Sequence, residues 1–301
     1  MTWRIIDIAE SGRYLHSERK SLVVLDQKKE LGRIPLRDIQ SILVHSYFGT
    51  YSHELLVNLA EYNIPLVICD KKHLPIALLT PVSNHHLQAG RVQAQASTSK
   101  PVRKRIWKCL VKAKIREQSR TLKPIDFKAS KYLNNLEKKV RSGDLQNIEA
   151  QAARFYWKKL FGESFHRDRH LPGINSHLNY GYIILRSALA RAVISAGLTP
   201  SLGVGHVNSR NNFCLVDDLI EPFRPLVDRI VWQNQRDWKG EISNSSKEQL
   251  AGIMEKNIML DSGETDLFRT MTIVVSSLVS VFEKSKDNLE LPSEIKFVNF
   301  S

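Results

Sequence analysis

The sequence predicts an α+β protein: a small β-rich N-terminal domain over residues 1–80, a linker at 81–86, and a larger all-α C-terminal domain over 87–301. Three observations predict it. Short β-rich apolar runs recur through the first eighty positions. Thr80-Pro81-Val82-Ser83-Asn84 has the composition of a connector. Beyond it, apolar residues recur at three- and four-residue spacing, the period of a helix buried on one face.

The elements follow in order. Trp3 to Ile8 partly alternates, and 21–25 (SLVVL) and 39–44 (IQSILV) are short runs bounded by charged or turn residues, so each predicts a strand. Gln27-Lys28-Lys29-Glu30 reads as a connection too long for a two-residue turn. Leu55, Leu56, Leu59 and Ala60 predict a helix over 52–61, and strands follow at 64–69 and 76–79. After the linker the chain favours helix from Leu87, breaks near 97–101 and resumes at 102–120. A helix is predicted over 148–160. The clearest spans 176–196, where Leu178, Tyr182, Leu185, Leu189, Ala192 and Ala196 share a face and Gly197 is placed to end it. Two more amphipathic helices are predicted near 247–259 and 266–284.

With 44 Lys+Arg against 31 Asp+Glu, the net charge is +13, which favours a polyanionic partner through counterion release. The positive charge concentrates on the helix at 102–120; Arg91, Arg103, Lys104, Arg105 and Lys112 are the candidate phosphate contacts. The plainer reading of such a helix is a solvated face. Cys69, Cys109 and Cys214 are far apart and odd in number, which fits a reducing compartment and excludes a CxxC zinc site. No signal-peptide layout and no apolar run of membrane-spanning length occurs, so a cytoplasmic, non-membrane protein is expected. P-loop, GxGxxG and GxSxG motifs do not occur, which excludes the chemistries they serve.

The stretch Gly203 to Arg229 carries the candidate chemistry. His206 lies in a turn flanked by Gly203 and Gly205, followed by Asp217, Asp218 and Glu221 on a largely apolar segment. Asp218 and Glu221, or Asp217 and Glu221, would share a helix face, although Pro222 disturbs a helix there. Spacing alone favours acids that are solvated or paired with Arg224 and Arg229. The alternative is a divalent ion, and carboxylates with one imidazole and no thiolate suit Mg²⁺ or Mn²⁺.

Four blocks, in order, carry a resemblance: 148–157 (IEAQAARFYW), 178–182 (LNYGY), 197–203 (GLTPSLG) running on to His206, and 218–225 (DLIEPFRP). Over essentially its whole length the chain resembles the CRISPR-associated adaptation integrases, which insert new spacers into CRISPR arrays; the last block and the compact length resemble the type II form. The resemblance implies the fold read above. It also implies a metal-dependent DNA integrase and endonuclease, with Glu149, His206 and Glu221 as catalytic residues and ligands of Mg²⁺ or Mn²⁺. Glu149 is named by the resemblance alone. Glu221 stands where many members have aspartate, Asp218 matches an often acidic position and is kept as auxiliary, and Asp217 reads as solvated or structural. The implied partners are DNA (the incoming spacer fragment and the CRISPR repeat and leader), a second copy of the chain paired through the β domain, and a small ferredoxin-like adaptation protein whose dimer bridges two such pairs. A stand-alone junction or repair nuclease and a non-catalytic DNA-binding scaffold are the alternatives.

Overall fold

The computed structural model describes residues 4–46, 48–69, 75–81, 87–206, 208–238, 240–260, 263–292 and 295–297. The first part of the chain runs β1 (Arg4–Ile8), β2 (Arg13–Glu18), β3 (Ser21–Asp26), β4 (Lys29–Pro35), β5 (Ile39–Val44), β6 (Gly49–Tyr51), α1 (His53–Glu61), β7 (Leu66–Cys69) and β8 (Pro75–Leu79). These strands make two four-stranded sheets, ordered β1-β5-β7-β8 and β4-β3-β2-β6. β5 is central to the first, parallel to both β1 and β7, and all six of its residues are buried, which is why it reads as a continuous apolar run. Leu15, Leu22, Leu36, Ile42, Leu55 and Leu59 form the core between the sheets and α1, and Ser52 caps α1 by accepting the Leu55 N–H at 3.1 Å.

One sequence expectation is corrected here. β3 and β4 pair from Asp26 against Lys29, so Gln27-Lys28 is a two-residue turn after all. Both residues take positive φ (48° and 91°), as do Arg19 and Lys20 between β2 and β3 (48° and 59°). That conformation suits the twist of a hairpin but normally selects Gly or Asn, so the turns carry no composition signal. The linker at 81–86 falls largely on residues outside those described.

The second part runs α2 (Gln88–Ser97), α3 (Lys100–Leu122), α4 (Phe127–Lys139), α5 (Ile148–Phe161), α6 (Ile174–Ser195), α7 (Cys214–Leu219), α8 (Arg224–Gln233), α9 (Asn244–Ala251), β9 (Asn257–Leu260), β10 (Gly263–Asp266), α10 (Leu267–Phe282) and β11 (Lys296–Phe297). It is helical as expected, with one difference. The helix expected at 247–259 stops at Ala251, and the chain continues as a 3₁₀ turn into a small antiparallel sheet, β10-β9-β11. The larger domain is therefore not purely α.

α6 is the axis of this part. Eighteen of its residues are buried, more than one face can supply, so it is enclosed on all sides by α8, α9, α10 and the first sheet. Leu43, Val67 and Cys69 from that sheet join the same core as Leu185, Leu189 and Val193. Two polar contacts weld the parts together. Tyr180 donates its hydroxyl to Asp7 Oδ2 at 2.6 Å, and Arg191 Nη1 donates to the Ile39 and Gln40 carbonyls, each at 3.0 Å.

Candidate active site

Four segments converge where α3, α5 and the α7–α8 junction meet. Glu149 sits in the first turn of α5. Asp144 fixes that turn by accepting the Ile148 N–H at 3.0 Å and the Glu149 N–H at 2.9 Å, which satisfies two of the open donors of a helix start. Glu221 lies on the 3₁₀ turn Glu221–Phe223 between α7 and α8, where Pro222 interrupts the helix as its missing N–H requires. The interruption lets the Glu221 side chain turn inward, and it is only 7% exposed.

His206 lies in the loop after α6, and Asp218, fully buried on α7, holds it. Asp218 Oδ2 accepts the Val204 and Gly205 N–H groups (2.6 and 2.9 Å); Oδ1 accepts the His206 N–H at 2.9 Å and His206 Nδ1 at 2.6 Å. An ionised carboxylate can only accept, so Nδ1 carries the hydrogen and neutral His206 presents the Nε2 lone pair. The Asp218 hydrogen bond above all raises the imidazole pKa; burial opposes the rise, and the charges of Glu221 and Glu149 add to it. The loop fits only with glycine. A Cβ at Gly205 would fall inside the Trp107 ring, which meets His206 edge-on at 5.1 Å between centroids, and one at Gly203 would lie 2.9 Å from Asp218 Oδ2.

A lysine joins the two glutamates. Lys114 Nζ is 2.6 Å from Glu149 Oε1 and 2.6 Å from Glu221 Oε2, and Arg224 Nε donates to Glu221 Oε1 at 3.0 Å. Burial would push the Glu221 carboxyl up, but Lys114 and Arg224 more than reverse this and hold it at about 2. Oε2 of Glu221 is buried and lies off the direction that a hydrogen bond to Lys114 needs, so this contact is electrostatic. Among the described residues, no three or more His, Cys, Asp and Glu side chains are gathered closely enough to enclose an ion as they stand. The donor set nevertheless suits a hard divalent ion: two carboxylates already bound to a cation, one with an oxygen lacking a hydrogen bond, and a half-exposed imidazole of fixed tautomer.

Beside Glu221 opens a cavity of ≈ 170 Å³, whose lining includes Lys114, Gln118, Arg167, Tyr182, Arg224 and Asp228. Asp228 accepts hydroxyl bonds from Tyr156 (3.0 Å) and Tyr182, and burial drives its carboxyl up to about 7. Arg224 and Arg167 both lie over the Tyr182 ring, at 4.5 and 5.3 Å.

The structure thus pairs Glu149 with Glu221 through Lys114 and His206 with Asp218, the two pairs near enough that the glutamate charges act on the imidazole. Asp217 stands apart, bound by Arg186 (2.7 and 2.9 Å) and Asn211 (2.8 Å), which is the structural one of the two roles, solvated or structural, read for it. The basic candidates separate. Arg91 pairs with Glu283 and bonds the Ala196 carbonyl; Arg103 closes the end of α2 on the carbonyls of Gln95, Ala96 and Thr98. The Lys104 stem packs at Gly143, Arg105 is exposed and Lys112 is half-buried. The sequence reading did not single out Lys114, although it continues the Ile106–Leu110 face of α3; it missed Asp228 too, and weighed Arg224 only as a partner for the acids.

The family model for the CRISPR associated protein Cas1 matches residues 6–259. A CRISPR-associated endonuclease Cas1 from Neisseria meningitidis serogroup C (strain 8013) is 34% identical over 296 residues, covering 97% of this chain and 96% of the relative. A Cas1 endonuclease from Francisella tularensis subsp. novicida (strain U112) is 28% identical over 255 residues, 78% of this chain and 80% of its own. Among solved structures, a casposase bound to integration product superposes with a TM-score of 0.79 at 19% identity, covering 96% of this chain and 93% of that one. A Cas6-RT-Cas1–Cas2 complex gives 0.79 at 18% identity, covering 96% of this chain and 36% of that one. A Cas1 protein from Thermotoga maritima gives 0.75 at 15% identity, covering 95% and 99%. These structures share the fold.

Proposed function

The chain belongs to the CRISPR-associated Cas1 family, and from that premise we propose that it is a metal-dependent DNA integrase and endonuclease. A 3′-hydroxyl of an incoming DNA fragment attacks a phosphodiester at a CRISPR repeat end, and one phosphodiester is exchanged for another. The observation that carries this is the convergence of Glu149 and Glu221 with a histidine whose Nε2 is presented by Asp218. A protein that used its acids only as salt-bridge partners would have no use for a buried carboxylate that fixes both the loop and the ring of one histidine. Glu149, Glu221 and His206 would hold Mg²⁺ or Mn²⁺, which supplies Lewis acidity toward the attacking hydroxyl and the phosphate. Asp218 positions the imidazole. Arg224 and Arg167 line the adjoining cavity and offer charge to a phosphate oxygen.

The type II-like form fits the likeness to the Neisseria relative. Among the described residues no helix is long and apolar enough to cross a membrane. DNA and a small partner protein are proposed as ligands because similar folds occur in a casposase bound to integration product and in a Cas1–Cas2 complex; pairing of two copies through the β domain completes the proposed assembly.

The test is strand joining by the purified protein with Mg²⁺ or Mn²⁺. Glu149→Ala, His206→Ala and Glu221→Ala should each reduce joining by at least about a hundredfold. Intact joining in all three would sink the assignment, and cleavage without joining by the wild type would favour a nuclease that uses water as nucleophile.

A further inference from the structure

Lys114 occupies an unusual position for a lysine. It lies on the inner face of α3, 9% exposed, in line with Ile106 and Leu110. Removing an ammonium from water is costly unless the charge is paired, and here it is paired twice, 2.6 Å from each glutamate. Glu149 Oε1 and Glu221 Oε2 are thus bound to a cation supplied by the chain itself. A divalent ion needs the same oxygens at similar range, and two cations sharing them would repel.

A place for the displaced ammonium also exists. Gln118 lies one turn further along α3 and lines the same ≈ 170 Å³ cavity as Lys114. The residue is 2% exposed, and its Oε1 has no hydrogen-bond partner. A buried amide oxygen without a donor is expensive, and it stands within the i,i+4 reach of a lysine.

We propose that Lys114 is a built-in stand-in cation: it holds Glu149 and Glu221 together before a divalent ion binds, and the ion enters by exchange as the ammonium swings toward Gln118. This rests on the metal reading given above. The exchange makes metal affinity a competition between the ion and one side chain, and it spares the two glutamates from repelling each other while they wait.

The experiment is Mn²⁺ titration of the full chain by calorimetry, comparing wild type with Lys114→Met. The variant should bind Mn²⁺ at least about tenfold more tightly, and added Mn²⁺ should raise its melting temperature by more than in wild type. Equal or weaker binding by the folded variant overturns the exchange and leaves the metal site standing; no Mn²⁺ binding by either protein overturns both. Gln118→Leu removes the receiving acceptor and should weaken Mn²⁺ binding severalfold; unchanged affinity removes Gln118 from the proposal. Should Lys114→Met fail to fold, ¹⁵N-lysine-labelled wild type decides. The ammonium resonance absent from Lys114→Arg must shift as Mg²⁺ saturates, and an unshifted resonance overturns the exchange.

Discussion

Asp218→Asn changes one atom's chemistry and keeps the side chain's shape. The native carboxylate accepts four bonds, from the Val204, Gly205 and His206 N–H groups and from His206 Nδ1, all between 2.6 and 2.9 Å. An amide offers one acceptor oxygen. With the NH₂ toward the His206 side, Nδ1 accepts from it once the imidazole changes tautomer, and the His206 backbone N–H alone is left facing a donor; Asp218 is fully buried, so water cannot replace the missing acceptor. Losing that one charge-assisted bond gives an expected destabilisation of roughly 1.5–3 kcal/mol. The adjacent residue is the control. Asp217 is 21% exposed and bound by Arg186 and Asn211, so Asp217→Asn should cost only about 1 kcal/mol. Urea unfolding of the three proteins, compared at a common m-value, measures both differences. If Asp218→Asn fell within about 1 kcal/mol of wild type, or no further from it than Asp217→Asn, the carboxylate would not be holding the loop as described.

Two further predictions concern charge. Burial raises the Asp228 carboxyl from 3.8 to about 7 and the Glu117 carboxyl from 4.5 to about 7, so the folded state keeps these protons longer than the unfolded one. Stability should therefore fall as pH rises from about 4 to about 7 and level off above; Asp228 contributes at most ~4 kcal/mol of the fall, and Asp228→Asn should remove about half of the slope in urea midpoints between pH 5 and 7.5. An undiminished slope would exclude Asp228 as its source. Among the basic candidates, Arg105→Glu or Lys112→Glu should lower the slope of log affinity for duplex DNA against log salt by about 0.9 for each phosphate that the side chain neutralises in the wild type. Arg103→Glu should instead lower the melting temperature, because its guanidinium closes α2; unchanged salt slopes in the first two would remove them from the interface.

What the sequence disclosed depended on where each signal was stored. α10 was legible because one-sided burial imposes a helical period on its apolar residues, and α6 because its large apolar residues recur at helical spacing over a long uninterrupted run. β4 was not: it is exposed along nearly all its length and has no buried face to write an alternation. The break after Ala251 was hidden because a short helix, a 3₁₀ turn and a strand together resemble one amphipathic run. In the site, His206 and Glu221 stood out through a local crowd of acids and glycines. Glu149 needed the family resemblance, since its link to Glu221 passes through Lys114 on a third helix, and sequence spacing records only neighbours on one element. Lys114 was camouflaged by the other cations of α3, from which it differs only in facing inward.

The weld between the two parts of the chain has a consequence for building hybrids. Arg191 docks on the backbone carbonyls of Ile39 and Gln40, and every residue type supplies a carbonyl. Only Asp7, which receives the Tyr180 hydroxyl, is specified by side-chain identity in those polar contacts. A foreign β domain that keeps an acid at that position and a buried apolar strand in place of β5 could therefore be transplanted onto this helical body with few changes at the seam. Tyr180, Tyr182 and Arg191 share one helix, so a misfitted transplant would announce itself at the Tyr182–Asp228 bond as readily as at the joint.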